Sequence, residues 1–159
     1  MEYKSEAYAT KHQERYLKLA KEIASWSKDP STKCGCVAVD PNTGAILSQG
    51  YNGFPRGIDD SAYRLNDRET KYKYMIHAEQ NCIYNACMNG VSLNGSIIYI
   101  YGLPSCSECA KALIQVGAKA VYYGFEKKLP DHWKESTDFS ESLFKEGIVE
   151  YADISDLIT

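Results

Sequence analysis

The pattern of apolar and polar residues divides the chain into short elements with alternating helical and extended periodicity. From Lys11 to Ser27, apolar residues recur every three or four positions, at Tyr16, Leu19, Ala20, Ile23 and Trp26. This spacing predicts an amphipathic helix that packs one face on a core. Asp29-Pro30 ends the helix, because the residue before a proline avoids the helical region. Residues 1–10 are expected to be frayed.

The next two apolar runs predict a β-hairpin. Residues 34–39 are small and apolar, and residues 45–49 return as a second extended run. Residues 40–44, between them, are typical of a turn, because proline presets φ and glycine accepts a positive φ. The thiols of Cys34 and Cys36 fit the first strand as small packing residues, and metal binding is the alternative.

A glycine-rich turn from Gly50 to Gly57 follows the second strand. Backbone can approach a ligand closely there, because glycine has no side chain. Asn52 suits a sugar or a base edge, and Arg56 suits a phosphate. The alternative is a plain irregular turn. The polar residues 58–73 then predict a long loop, which is either a functional lid or a partly disordered segment.

Helical and extended segments alternate through the rest of the chain. The predicted helices cover residues 77–88, 106–116 and 131–145, and the predicted strands cover 96–101, 120–123 and 148–151. Strands that alternate with helices pair in parallel through right-handed crossovers. We therefore expect an α/β fold with three layers, α/β/α, around a mixed five-stranded sheet. Residues 1–159 are expected to form a single domain.

The most specific chemical signal is one histidine and two cysteines at predicted helix starts. His77-Ala78-Glu79 opens one helix, and Cys106-Ser107-Glu108-Cys109 opens another. One imidazole and two thiolates make a three-ligand zinc site, and a catalytic zinc keeps its fourth position for water. A helix N-terminus stabilises a thiolate through its dipole and its free N–H groups. Glu79 lies outside the ligand set, where a carboxylate can carry protons.

A closed structural zinc site is the alternative use of the two thiolates. In that arrangement Cys34 and Cys36 would join Cys106 and Cys109 as four ligands. The alternative leaves His77 and its neighbouring carboxylate without a role, so the sequence favours the three-ligand site.

Composition and charge narrow the classes of function. The net charge is −3 and no basic run occurs, whereas a protein that grips a long polyanion usually has a basic face. A small nucleotide therefore fits better than a nucleic acid. No apolar run approaches membrane-span length and the start has no secretory pattern, so we expect no membrane association. Six cysteines then favour reduced thiols and a cytoplasmic location.

Taken in order along the chain, several motifs resemble the deoxycytidylate (dCMP) deaminases of the zinc-dependent cytidine deaminase superfamily. The motifs are Asp29-Pro30-Ser31-Thr32-Lys33, Gly50-Tyr51-Asn52-Gly53-Phe54-Pro55, Thr70-Lys71-Tyr72-Lys73-Tyr74 and the two metal-ligand segments. The H-x-E…C-x-x-C spacing is the signature of zinc nucleobase deaminases. Three departures from the family pattern occur: Ser105 separates Pro104 from the first cysteine, Gln80 replaces a commonly aliphatic residue, and Cys82 replaces an expected alanine.

The resemblance implies a cytidine-deaminase-like fold and a hydrolase that converts dCMP to dUMP and ammonia, supplying dUMP for thymidylate synthesis. It implies Zn²⁺ as the cofactor, with His77, Cys106 and Cys109 as ligands and Glu79 as the catalytic proton carrier. The substrate contacts that it implies are the Ala78 N–H and the Ser105 carbonyl for the base edge, Asn52 for the sugar, and Lys33, Arg56 and Lys73 for the 5′-phosphate.

The resemblance also implies a homohexamer that dCTP activates and dTTP inhibits. The implied effector site lies in residues 52–60 and comprises Asn52, Gly53, Arg56, Gly57, Asp59 and Asp60. Two other functions remain open at this point. One is a deaminase of a different small substrate, such as dCTP, cytidine or another modified nucleotide. The other is a non-catalytic module that binds zinc or a nucleotide.

Overall fold

The computed structural model describes the chain from residue 6 to residue 159, with side chains from residue 12 onwards. The helices in this part of the chain are α1 (Glu6–Ala24), α2 (Ala62–Asn66), α3 (Arg68–Tyr74), α4 (Ala78–Met88), α5 (Ser107–Gln115) and α6 (Lys134–Glu146). The strands are β1 (Gly35–Val39), β2 (Ile46–Tyr51), β3 (Ile97–Tyr101), β4 (Ala120–Gly124) and β5 (Glu150–Asp153). Short 3₁₀ turns cover Asp131–Trp133 and Ser155–Leu157.

The strands form one mixed sheet in the order β2-β1-β3-β4-β5. β1 pairs antiparallel with both β2 and β3, and the pairs β3–β4 and β4–β5 are parallel. Helices α5 and α6 supply the crossovers of the two parallel pairs, as such connections require. The predicted α/β fold with a mixed five-stranded sheet is therefore confirmed.

Both faces of the sheet are covered, and β1 shows how the sequence produces this. Its alternate residues Cys36 and Ala38 pack in a buried cluster with residues of α4, α5 and α6. Val37 and Val39 point to the other face and pack in a second cluster with residues of α1. A strand buried on both faces is continuously apolar, which is why residues 35–39 carry no polar side chain.

The charged segment before His77 differs from the prediction. The expectation of a loop over residues 58–73 is wrong for most of its length, because α2 and α3 form there. Asp67 starts α3 by accepting a hydrogen bond from the Thr70 N–H at 3.3 Å, and the buried Lys71 then anchors the helix. These helices are too short and too polar for hydrophobic periodicity to reveal them.

Several element ends also differ from the prediction. α1 begins at residue 6 and ends at residue 24, so the expected fraying is wrong for residues 6–10, while residues 1–5 lie outside the described part of the chain. β5 begins at residue 150 because the chain first turns at Ile148, which has a positive φ of 58°. No helix in the described part of the chain is both long enough and apolar enough to cross a membrane.

Gly50 brings β2 against the start of α4. A methyl group at this position would lie 2.4 Å from the Cys82 backbone nitrogen and 2.7 Å from the Ala78 carbonyl oxygen. Real contacts are never this short, so only glycine allows the strand and helix to pack at this distance. A methyl group added at Gly53, three residues later, would meet no atom within 4 Å.

We predict that Gly50→Ala destabilises the protein by about 1–3 kcal/mol, because the added methyl group forces β2 and α4 apart. Gly53→Ala is the matched control and should be neutral or slightly stabilising, because the site is open and alanine restricts the unfolded chain. Urea unfolding measures both free energies. Equal stability of Gly50→Ala and the wild-type protein would contradict this account of the packing.

Candidate active site

His77 is held at the residue that precedes α4. Its backbone N–H donates a hydrogen bond of 2.9 Å to the Gln80 side-chain oxygen. This bond satisfies one of the backbone donors that a helix start leaves without a partner. Gln80 therefore fixes the backbone from which the His77 imidazole projects.

Cys106 occupies the corresponding position before α5. Its sulfur accepts a hydrogen bond from the Cys109 N–H, with an N···S distance of 3.4 Å. The preceding turn is tied to distant parts of the chain: the Ser105 N–H donates to the Tyr151 hydroxyl at 3.1 Å, and the Trp133 indole N–H donates to the Pro104 carbonyl at 3.3 Å. The cysteine pair is thus supported from both β5 and the 3₁₀ turn.

The three predicted ligands come together. The ligand atoms of His77, Cys106 and Cys109 all lie within 4.8 Å of one another. His77 Nδ1 is 3.3 Å from the Cys109 sulfur and 3.4 Å from the Cys106 sulfur. A tetrahedral zinc with ordinary Zn–N and Zn–S bonds needs an N···S distance of roughly 3.5 Å. The donor set therefore fits Zn²⁺ in both chemistry and spacing.

The four-thiolate alternative does not form in the described part of the chain. The only group there that could hold a metal consists of one histidine and two cysteines, and neither Cys34 nor Cys36 belongs to it. Cys36 is buried in the cluster between the sheet and α4, as expected of a packing residue. Three protein ligands leave one tetrahedral position open, as in catalytic zinc sites.

Hydrogen bonds and burial shift the acidities of the groups around this cluster. The hydrogen bonds with Cys109 and, to a smaller extent, with His77 together lower the pKa of Cys106 to about 4 against the effect of burial. Burial raises the pKa of Glu79, whereas His77 opposes that rise. A thiolate is the form that binds metal, and a raised pKa favours a carboxyl as a group that gives a proton as well as accepting one.

A cavity of about 730 Å³ opens beside the cluster. At one part of its wall lie His77, Ala78 and Glu79, with Leu103 and Pro104 from the turn before α5. The remaining wall comes from the segment 29–34, from α2 and α3, and from the 3₁₀ turn, and it includes Arg68, Lys71, Tyr72, His132 and Trp133. The cavity is large enough for a small organic ligand to reach the cluster of His77, Cys106 and Cys109.

A buried ion pair organises another part of the cavity wall. The Lys71 ammonium lies 3.0 Å from Asp29 Oδ1, and the two side chains are only 6% and 5% exposed. The same carboxylate oxygen accepts hydrogen bonds from the backbone N–H groups of Ser31, at 2.8 Å, and Thr32, at 3.2 Å. The pair therefore joins α3 to the loop that follows α1.

Asn52 completes this polar network. Its amide nitrogen donates to the Thr32 carbonyl at 2.9 Å and to Asp29 Oδ2 at 3.4 Å, and its amide oxygen accepts from the Cys34 N–H at 2.9 Å. Asn52 is buried and lines the cavity. Its amide thus positions the wall of the cavity.

The structure places the other predicted site residues as follows. Ala78 lines the cavity, and Ser105 is fully buried directly before Cys106. The cavity wall, as far as the chain is described, does not include Lys33, Arg56 or Lys73. Lys33 donates instead to the Ser27 carbonyl, and Arg56 donates to the Asn85 side-chain oxygen at 2.7 Å.

The wall includes residues to which the sequence assigned no role in a site, among them Asp29, Lys71, Arg68, His132 and Trp133. Asp29 and Lys71 stand in two of the motifs that carry the family resemblance, which was the one signal available for them. The other three lie on α3 and on the 3₁₀ turn, and only the tertiary structure brings these elements to the metal cluster.

Comparison with known proteins agrees with this geometry. The family profile described as "Cytidine and deoxycytidylate deaminase zinc-binding region" matches residues 10–125. The chain is 42% identical over 116 residues to a probable deoxycytidylate deaminase of Caenorhabditis elegans, covering 71% of this chain and 56% of that protein. It is 36% identical over 137 residues to the deoxycytidylate deaminase of Mus musculus, covering 83% and 73%. The chain thus spans about half of the first relative's length and most of the second's.

A solved structure of a dCMP deaminase also resembles this chain. The crystal structure of the dCMP deaminase from cyanophage S-TIM5 in complex with dCMP and dUMP superposes with a TM-score of 0.71. The sequence identity is 26%, and the match covers 91% of this chain and 97% of the cyanophage chain. The similarity therefore extends over the whole sheet and its helices.

We predict that Lys71→Met destabilises the protein by about 3–5 kcal/mol, because it leaves the buried Asp29 carboxylate without its counter-charge. The double variant Asp29→Asn with Lys71→Met should recover part of this loss, because no uncompensated charge stays buried. Lys28→Met breaks an exposed ion pair with Asp60 and should have little effect, since solvent screens that pair. Urea unfolding compares all three variants, and a Lys71→Met protein as stable as the Lys28→Met protein would refute the prediction.

Proposed function

We propose, from the premise that this chain belongs to the cytidine and deoxycytidylate deaminase family, that it hydrolyses dCMP to dUMP and ammonia. The observation that carries the proposal is the buried Glu79 carboxylate, which lines the cavity two residues from His77 and beside the His–Cys–Cys cluster. The relatives that match the chain include proteins named for this activity.

The chemistry of the reaction assigns a role to each group at the cluster. His77, Cys106 and Cys109 would hold a zinc ion, which when bound would lower the pKa of a water molecule to about 7 and so supply a nucleophile at neutral pH. Glu79 accepts one proton from the attacking water and delivers it to ring N3. It then passes the second proton to the amino group, which leaves C4 as ammonia. The water oxygen ends on C4, and the ring gains the N3–H of uracil.

The neighbouring groups are proposed to orient the substrate. The Ala78 N–H and the Ser105 carbonyl contact the base edge, and Asn52 contacts the sugar. The support for this arrangement is positional: Ala78 and Asn52 line the cavity, and Ser105 lies between two residues, Pro104 and Cys106, of the turn that holds the cluster. Ala78, Glu79 and Ser105 are buried, and buried surroundings strengthen the hydrogen bonds that position a base.

The effector proposal is supported by a direct link between residues 52–60 and the metal cluster. Gly53 and Ile76 exchange two backbone hydrogen bonds, of 3.1 and 2.8 Å. Ile76 immediately precedes His77, so a ligand that shifts the loop would shift a metal ligand. Arg56, Gly57, Asp59 and Asp60 complete the proposed dCTP and dTTP site, and Arg56 also contacts α4 through Asn85.

Exposed apolar side chains support a homo-oligomer. Tyr84 and Met88 lie one turn apart on α4 and are 50% and 69% exposed. Trp26 and Tyr51 are also exposed and stack edge to face at 6.1 Å. Surfaces of this kind mark protein contacts, and we propose a hexamer by family resemblance. We further propose that the chain acts as one domain and in the cytoplasm, where its free cysteines remain reduced.

We predict that Glu79→Gln lowers kcat for dCMP by at least roughly 10²-fold, because the amide cannot take up and release the protons. Zinc content, measured by atomic absorption, should stay equal to that of the wild-type protein. Glu108→Gln is the matched control, because Glu108 lies in the first turn of α5 but is exposed and paired with Lys111. Near-normal turnover by the zinc-loaded Glu79→Gln protein would refute the proposed role.

We also predict that dCTP raises and dTTP lowers the rate at subsaturating dCMP, with sigmoidal kinetics, because a loop shared with the metal ligand couples the two sites. Light scattering should give six times the mass of one chain. Hyperbolic kinetics that neither triphosphate changes would rule out the effector proposal, and a monomeric mass would rule out the hexamer.

A further inference from the structure

The charged groups of the cavity wall are not equally available to a ligand. The two carboxylates of the wall belong to Asp29 and Glu79, and the two permanent cations belong to Lys71 and Arg68. Lys71 is committed to Asp29 within a buried ion pair. The Asp29 carboxylate therefore offsets most of the positive charge that Lys71 could offer to a phosphate.

Arg68 is the cation of the wall that keeps its charge available. Among the described residues, no carboxylate lies within ion-pair distance of its guanidinium. Its Nε donates a hydrogen bond of 3.1 Å to the hydroxyl of Tyr72, and the guanidinium carbon lies 5.3 Å from the centre of the same ring. Tyr72 follows four residues later on α3 and also lines the cavity.

These contacts leave the outer edge of the guanidinium open. Nε is the nitrogen that Tyr72 engages, so the two terminal nitrogens still carry the parallel N–H donors that match two oxygens of a phosphate. The ring contact also restricts the rotamers of the long side chain, which lowers the entropy that binding has to overcome. The backbone N–H groups of Ser31 and Thr32 are already used, because they donate to Asp29.

We propose that Arg68 binds the 5′-phosphate of the substrate and makes the protein select a nucleoside monophosphate over the free nucleoside. This inference rests on the proposed function, since it assigns a subsite to the same cavity. It differs from the expectation drawn from the sequence, in which Lys33, Arg56 and Lys73 were the candidates. Tyr72 is a positioning residue in this arrangement, because it holds the guanidinium and need not touch the phosphate.

The test compares ligands with and without the phosphate on zinc-loaded protein. Arg68→Gln should lower kcat/KM for dCMP by about 10- to 100-fold, mainly through KM, because a charge-assisted pair of hydrogen bonds is lost. The kcat/KM for deoxycytidine should stay unchanged. Arg68→Lys should recover part of the preference, because it keeps the charge and loses the planar fork. Arg15→Gln removes the same charge from the exposed face of α1 and is the control.

Equilibrium binding separates this proposal from the proposed function. Calorimetry with dCMP, dUMP, deoxycytidine and deoxyuridine should show that Arg68→Gln weakens only the two phosphorylated ligands. If the wild-type protein releases no ammonia but binds dCMP through Arg68, the deaminase proposal fails and the phosphate subsite stands. Equal loss for ligands with and without phosphate, no loss at all, or no binding of dCMP and dUMP by the wild-type protein would overturn the Arg68 proposal.

Discussion

Everything at this site depends on two helix N-termini meeting at one edge of the sheet. β2 and β3 are both antiparallel to β1, so they run in the same direction and end at the same edge. α4 is the helix that follows β2 and the excursion through α2 and α3, and α5 follows β3 directly. His77 and Cys106 precede these helices, and Cys109 lies in the first turn of α5. The topology therefore assembles three ligands that lie far apart in sequence.

The approach of the two helix starts depends on contacts that leave little room for change. Gly50 lets β2 lie directly against α4, and the Gln80 side chain accepts a hydrogen bond from the His77 backbone N–H. The Asp29–Lys71 pair fixes α3 against the loop that follows α1. The same helix carries the exposed Arg68, which lines the cavity. One short helix thus contributes a structural charge to the interior and an available charge to the cavity.

Much of this could be predicted from the sequence, because the signals were local. The H-x-E and C-x-x-C segments carry their chemistry in a few adjacent residues, and the apolar runs of β1 and β3 reflect strands buried on both faces. α2 and α3 could not be predicted, because Lys71 is buried by an ion pair with a residue 42 positions away and not by an apolar stripe. Arg68 was missed for the same reason: without α3, nothing placed it at the cavity.

The central claim is that a cluster of one histidine and two cysteines, together with a buried carboxylate, deaminates a cytosine nucleotide in this cavity. The most direct measurement is ammonia release by purified, zinc-loaded protein from dCMP, dCTP, deoxycytidine, cytosine and dAMP at equal concentrations. The account predicts rapid release from dCMP, with formation of an equal amount of dUMP, and much slower release from the others. Absence of ammonia from dCMP, or a faster reaction with another member of the series, would contradict it.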